Sequence, residues 1–457
     1  MGKNKDKKNA KAGWLFNLFK GYMRFCHDHF YYKKVYWVGT ENIPEGCPLM
    51  VVSHHQNCLS DALGVLFSIK NREDRQLRIL SRADVFKPVF EKALRWLGIM
   101  PAFRLEYDGA DSLSNNSYTI SESGDELLED GVVIIYPEAG HQDKRWMGTF
   151  SLGYLHIIFE AAKKSNFEKE MFIIPSCNHY SDYFDPREHF LVKYGEPISL
   201  KPYYELYQTK PRTVQRQVNA LVREKINELM LNITDLENYE AIDYLRNTYG
   251  IDYAKQNGFN PEVLPEKLLA DKMLYAELDN LKNIYPEEVQ VIYENTCELK
   301  EKSEEMGIGD RSFAKRPNTC TLFLKGFGFI LLFPLFILGC IPNYFVWLLP
   351  TLATRRIKDR MFHSGIHYAA MMLITMPFFY LLTFALLWIF TKSVIITLVY
   401  ILCFPFLGIF AWNYVKQWKL WRSDVRFKYL FGQGKLNAII ELRTHIYNSL
   451  DKLLKGK

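Results

Sequence analysis

Leu49-Met50-Val51-Val52-Ser53-His54-His55-Gln56-Asn57-Cys58-Leu59-Ser60-Asp61 is the stretch on which the reading of this chain turns. Val51 and Val52 read as a buried strand, and the spacing of Leu59, Leu63, Leu66 and Phe67 predicts a helix starting just past the histidines. His55 then sits at a strand-to-helix turn. Asp61 falls in the first helical turn, where backbone N–H groups and the helix dipole favour a carboxylate, and from there it can accept a hydrogen bond from the His55 ring. A histidine held in this way can take a proton from an alcohol near neutral pH, the step an oxygen nucleophile needs to attack an acyl group. The same pair at the same spacing also occurs as a plain structural contact, so the stretch is weighed with its surroundings.

On either side of it, residues 36–205 alternate short strands with helices, as an α/β domain should. The expected strands are Pro48–Ser53, Leu77–Ser81, Ile99–Phe103, Val132–Tyr136, Phe172–Ser176 and Phe190–Tyr194. Helices are expected near Leu59–Lys70, Pro88–Leu97, Asp125–Glu129 and Phe150–Lys164.

The chain has 457 residues, enough for two or three domains, and a net charge of +6 that includes many acidic residues, which makes no case for nucleic acid. Lys3, Lys5, Lys7, Lys8 and Lys11 precede the residues Trp14, Leu15, Leu18, Phe19, Tyr22 and Phe25, which fall on one helical stripe. Residues 1–35 therefore read as a basic start and an amphipathic helix suited to a membrane interface, or to ordinary packing on the domain. No secretory signal is expected, because no apolar core with a small-residue cleavage site follows the lysines, and Asp6 stands where myristoylation needs Ser or Thr. The eight cysteines show no C-x-x-C spacing, so they read as reduced, and no metal site is expected.

Residues 206–318 change to long, charged helices, with Val214, Val218, Leu221, Val222, Ile226, Leu229 and Met230 on one stripe, and read as a helical connector. Residues 319–420 are lipid-like. Segments 368–390 and 394–414 are each long enough to cross a bilayer about 30 Å thick. Segment 326–349 is interrupted by Pro334 and by Pro342-Asn343. Were it a single span, Arg355, Arg356, Lys358 and Arg360 would lie across the membrane from Lys315 and Arg316, against the tendency of short basic loops to stay cytoplasmic. A re-entrant hairpin is expected there instead, followed by two full spans and a cytosolic C-terminal helix over 421–457. Catalytic domain and C-terminus then share the cytosolic face of an integral membrane protein.

Four short blocks of the α/β domain occur in a characteristic order: Ser53-His54-His55-Gln56-Asn57 with Asp61, Gly98-Ile99-Met100-Pro101-Ala102-Phe103-Arg104, Ile135-Tyr136-Pro137-Glu138-Ala139-Gly140-His141, and Ile173-Ile174-Pro175-Ser176. Their sequence resembles the glycerolipid acyltransferase family, which acylates glycerol 3-phosphate and 1-acylglycerol 3-phosphate. His55 and Asp61 are separated by five residues where the family usually has four, as in a variant among glycerol 3-phosphate acyltransferases. The resemblance implies an acyltransferase domain with a central mixed sheet flanked by helices, followed by a helical connector and a transmembrane region.

It also implies roles. His55 is the general base and Asp61 its partner, Arg104 binds the substrate phosphate, and Glu138 with Gly140 shapes the acceptor site. Arg is suited to that task because its planar fork grips a phosphate with two hydrogen bonds. Lys144 and Arg145, directly after the third block, either add charge to the phosphate pocket or lie in a solvated loop. His54, Cys58, His179 and Tyr180 read as structural. The implied donor is acyl-CoA or acyl-carrier protein, the acceptor glycerol 3-phosphate or lysophosphatidate, the third partner the lipid bilayer, and no cofactor is expected. A catalytically silent membrane scaffold that keeps the fold is the reading from another class.

Overall fold

The structure is a computed structural model and describes residues 13–69, 77–102, 116–138 and 144–455. The chain divides into two compact units, Met1–Asn232 with Thr354–Tyr368, and Ile233–Ala353 with Ala369–Lys457.

The first unit is built on a mixed sheet of β1 (Lys34–Val38), β2 (Leu49–Ser53), β3 (Arg78–Arg82), β4 (Ile99–Ala102), β5 (Val132–Ile135), β6 (Phe172–Tyr180), β7 (His189–Tyr194) and β8 (Ile198–Ser199). The order is β1-β7-β6-β2-β5-β3-β4, with β8 on β6. β6 runs antiparallel to β7 and β8, and the other pairs are parallel. β2 lies between β5 and β6, and its run Leu49 to Val52 is completely buried, as a parallel strand covered on both faces requires. β1 lies to one side of β2 and β3 to the other, so the carboxyl end of β2 opens where an α/β sheet offers its crevice.

Three strand expectations change, the short β8 being additional to those read from the sequence. β1 was not anticipated, and β6 extends past Ser176 to Tyr180, because Ser176 to Tyr180 pair with Tyr194 to Phe190 of β7 and the ladder absorbs the polar Asn178 and His179 backbone. Helices α1 (Trp14–Cys26), α2 (Cys58–Ser68), α3 (Pro88–Trp96), α4 (Asn116–Leu128) and α5 (Gly153–Lys164) flank the sheet sequence, followed by α6 (Tyr204–Thr209) and α7 (Pro211–Leu229). Gly64 lets α2 approach β7: a Cβ there would stand 2.4 Å from the Phe190 ring. On α1 the outward residues are Trp14, Leu15, Leu18, Tyr22 and Phe25, whereas Phe16, Lys20, Met23 and Cys26 are buried.

The domain boundary moves from 205 to Asn232. The reason is packing: Val214, Val218, Val222 and Ile226 of α7 share one core with Met50, Val133, Ile158 and Ile173, so this stripe belongs to the sheet and not to a connector. Segment Thr354–Tyr368, expected within the membrane region, also belongs to the first unit. Tyr31 donates to the Ser364 carbonyl at 2.9 Å, Arg360 lies over the Phe184 ring at 4.5 Å, and Gly365 sits so tightly on α2 that a Cβ there would stand 2.7 Å from Leu59 Cβ and 3.0 Å from Ser60 N.

The second unit comprises α8 (Tyr239–Asn247), α9 (Tyr249–Gln256), α10 (Leu264–Ile284), α11 (Pro286–Glu305), α12 (Asp310–Ala314), α13 (Thr319–Thr354), α15 (Met376–Thr391), α16 (Val394–Gly432) and α17 (Asn437–Lys455), whereas most of α14 (His363–Ala370) falls in the first unit. Its buried Arg246 bridges Asp243 at 2.9 Å and Asp271 at 3.0 Å. The segment 421–457 is not a single terminal helix, since α16 runs to Gly432. α17 then packs back on the soluble helices through Arg443 to Asp310 at 2.8 Å and Tyr249 to Asp451 at 2.7 Å.

Three helices, Thr319–Thr354, Arg360–Thr391 and Val394–Gly432, are long and apolar enough to cross a membrane. Where an interruption was expected at Pro342-Asn343, helical hydrogen bonding continues in α13 through Pro334, Pro342 and Pro350, and it is the direction of its contacts that changes. A proline removes the bond to the carbonyl four residues back, and neighbouring hydroxyls replace two of these bonds. Tyr400 donates to Leu338 O at 3.2 Å and Thr375 Oγ1 to Val346 O at 2.9 Å. From Leu322, which takes the Trp421 indole at 2.8 Å, to Asn343, which donates to Phe404 O at 3.4 Å, α13 descends antiparallel to α16. Beyond the proline its contacts climb again, since Trp347 stacks on Trp412 at 4.9 Å.

Candidate active site

β2 ends at Ser53, and the next residues turn the chain into α2. Within this turn Asp61 Oδ2 accepts from His55 Nδ1 at 3.0 Å, from Gln56 N at 2.8 Å and from Asn57 N at 2.7 Å. Asp61 Oδ1 accepts the Tyr180 hydroxyl at 2.7 Å. Burial raises the Asp61 carboxyl, but His55, the Asn57 N–H and Tyr180 outweigh it and hold the group below its ordinary value, so it is a carboxylate at neutral pH. With Nδ1 committed to Asp61, Nε2 is the nitrogen that can accept a substrate proton. The His55 ring stacks on Tyr136 at 4.4 Å, which fixes its plane. Cys58, where α2 begins, has φ of +38°, a left-handed conformation that is strained for a residue with a Cβ and that is found where a site imposes its geometry.

Glu138 follows β5 and meets the same turn. Its Oε1 accepts from His55 N at 3.3 Å and its Oε2 from Gly148 N at 3.3 Å. Burial pushes its pKa up to about 8, so at neutral pH it is largely protonated and can donate a hydrogen bond to a substrate oxygen. His54 is buried, burial lowers its basicity, and neither ring nitrogen is hydrogen-bonded among the described residues. Burial raises the Cys58 thiol well above its usual range, which disfavours the thiolate.

The structure therefore brings His55, Asp61 and Glu138 together. Arg104 and Gly140 lie outside the described residues. Lys144 is at the site through its backbone, whose carbonyl accepts Gln56 Nε2 at 3.4 Å. Arg145 is only 3% exposed, and its guanidinium donates to the Tyr183 hydroxyl at 2.7 Å and the Tyr180 carbonyl at 3.1 Å, so these contacts hold it to the protein interior. Sequence reasoning missed Gln56, Tyr180 and Tyr183. The one available signal was the alternation Ser176, Asn178, Tyr180, which puts Tyr180 on the face of Ser176 once β6 is extended.

A histidine oriented by a buried carboxylate, at the carboxyl end of a central parallel strand and with a second carboxyl beside it, is an arrangement able to take a proton from an alcohol. The family model described as Acyltransferase matches residues 34–178, and this part of the chain is an acyltransferase domain. Among solved structures the chain is similar to the 1-acyl-sn-glycerophosphate (LPA) acyltransferase PlsC from Thermotoga maritima, at 14% identity and a TM-score of 0.31, over 47% of this chain and 78% of that one. That likeness is too distant to bear on substrate or mechanism. No curated protein matches the chain.

Proposed function

We propose that the protein is a membrane-bound O-acyltransferase of phospholipid synthesis, which moves a fatty acyl group from acyl-CoA or acyl-carrier protein to the hydroxyl of glycerol 3-phosphate. The observation that carries this reading is the His55 Nδ1 to Asp61 Oδ2 contact of 3.0 Å inside the acyltransferase domain. His55 Nε2 takes the hydroxyl proton as the glycerol oxygen attacks the thioester carbonyl carbon. The tetrahedral intermediate then collapses with cleavage of the C–S bond, and the imidazolium returns its proton to the leaving thiolate. Glu138, protonated and beside His55 N, holds an acceptor oxygen, and Arg104 takes the phosphate. The apolar helices anchor the chain, with the catalytic domain on the cytosolic face.

The full chain in lipid nanodiscs, given labelled acyl-CoA or acyl-carrier protein and glycerol 3-phosphate, 1-acylglycerol 3-phosphate or glycerol, tests the reading. Acylation of glycerol 3-phosphate is the expected result. Product from 1-acylglycerol 3-phosphate alone moves the protein to the next acylation step with the same residues in the same roles. Absence of product with either phosphorylated acceptor overturns the proposal in favour of a silent scaffold.

A further inference from the structure

The two oxygens of Asp61 are engaged by different parts of the fold. Oδ2 serves its own loop, whereas Oδ1 takes the hydroxyl of Tyr180, 119 positions away at the end of β6. Tyr180 is completely buried, and its carbonyl accepts Arg145 at 3.1 Å. Arg145 also donates to the Tyr183 hydroxyl at 2.7 Å, which donates to Gln56 Oε1 at 2.9 Å, and Gln56 N returns to Asp61 Oδ2 at 2.8 Å. The contacts close into a ring through Asp61, Tyr180, Arg145, Tyr183 and Gln56. A closed network of this kind, away from water, restricts every member to one geometry.

We propose that Tyr180 is a positioning residue for the His55–Asp61 pair, fixing the carboxylate through Oδ1 and setting how firmly Asp61 holds a proton on the imidazole. The inference rests on the acyl-transfer reading of that pair. A donor on Oδ1 prevents rotation of the carboxylate, keeps Oδ2 aimed at Nδ1, and draws off part of the negative charge that the ring would otherwise feel. Arg145 acts through Tyr180 and Tyr183, locking the backbone that carries the phenol. Among the described residues the other titratable groups facing the pair are His54, Cys58 of α2, Tyr136 and Glu138 beyond β5, and Tyr32, and the Tyr180 substitution changes none of them.

The test uses the full chain carrying Tyr180→Phe, which keeps the ring and its stacking on Phe190 at 4.6 Å and removes only the hydroxyl. Two readouts are followed: the pH dependence of kcat/KM, and the NMR titration of ring-labelled His55, assigned with His55→Gln. Loss of the donor leaves more charge on the carboxylate, so the acid limb and the His55 titration both move to higher pH, by roughly 1 unit. The value of kcat falls on the order of tenfold, the usual effect of removing an outer partner, and KM stays within about twofold. A 3-fluorotyrosine at position 180, a stronger donor of nearly the same shape, moves both readouts to lower pH and serves if the phenylalanine variant does not fold. Profiles that coincide with the parent protein for both replacements overturn the inference. A parent protein inactive on every acceptor instead defeats the acyl-transfer reading, while the NMR titration still decides whether Tyr180 governs the pair.

Discussion

His55 Nδ1 lies 3.0 Å from an Asp61 oxygen that also receives the Gln56 and Asn57 backbone N–H groups. The carboxylate is thus tied to the loop that carries the histidine, and the two side chains move as one piece. His55→Ala and Asp61→Ala should each lower kcat/KM on the order of 1,000-fold or more, and the double variant should be little worse than the poorer single one, because base and orienter act as a unit. His54→Ala should keep activity per folded molecule. Normal turnover by His55→Ala with a dead His54→Ala would show that the other histidine is the base.

Glu138 gives the protein a stability signature of its own. Its folded-state pKa, about 8, lies above the ordinary carboxyl value of 4.5, so the folded state holds this proton more tightly than the unfolded chain. The stability this group contributes is complete below about pH 4.5 and declines as pH rises toward 8. Glu138→Gln, which cannot ionise, should remove that decline, with an advantage over the parent on the order of 4 kcal/mol at pH 8 and almost none at pH 4. Denaturant melts of the purified protein at the two pH values measure it, and parallel pH curves for the two proteins would refute it.

Arginines at 104 and 145 should behave differently. Arg104→Ala is expected to weaken phosphorylated acceptors by about 2 to 5 kcal/mol, the usual consequence of truncating one partner of a buried charged pair, and to leave an unphosphorylated acceptor unaffected. Arg145→Ala, whose guanidinium bonds to Tyr180 and Tyr183, should lower activity equally on both. Comparing KM and kcat for glycerol 3-phosphate and glycerol distinguishes the two patterns. A phosphate-selective loss in Arg145→Ala would return that residue to the phosphate pocket.

Segment Thr354–Tyr368 packs within the first unit, so Arg355, Arg356, Lys358 and Arg360 should share a side of the bilayer with it. A cysteine replacing Lys358 should resist a membrane-impermeant reagent in intact cells and react once they are opened, whereas one replacing Lys392, at the tight turn between α15 and α16, should react from outside. This pattern is the one expected if α13 dips and returns, as the placement of Trp347 on Trp412 past the end of its descent supports. Strong outside labelling at position 358 would place the catalytic domain on the outer face.

The local parts of the fold were legible because local physics sets them. The apolar run ending at Ser53, the helical spacing after Asn57 and a carboxylate in the first helical turn bring His55 and Asp61 within reach of each other. The apolar helices announced themselves by composition, since nothing else keeps such long stretches so free of charge.

What only the tertiary structure decided is where side chains distant in sequence find partners. The α7 stripe looked amphipathic from sequence, but spacing cannot say which surface an apolar face covers, and it covers the sheet. Pro342 read as an interruption because a sequence shows the carbonyl a proline orphans and not the Tyr400 hydroxyl that satisfies Leu338. Arg145 read as either a phosphate ligand or a solvated loop residue because charge next to a site looks available until the fold buries it. Tyr180 looked structural because the donor that completes Asp61 arrives from another strand, and the energy of a buried hydrogen bond depends on distance in space, to which separation along the chain is no guide.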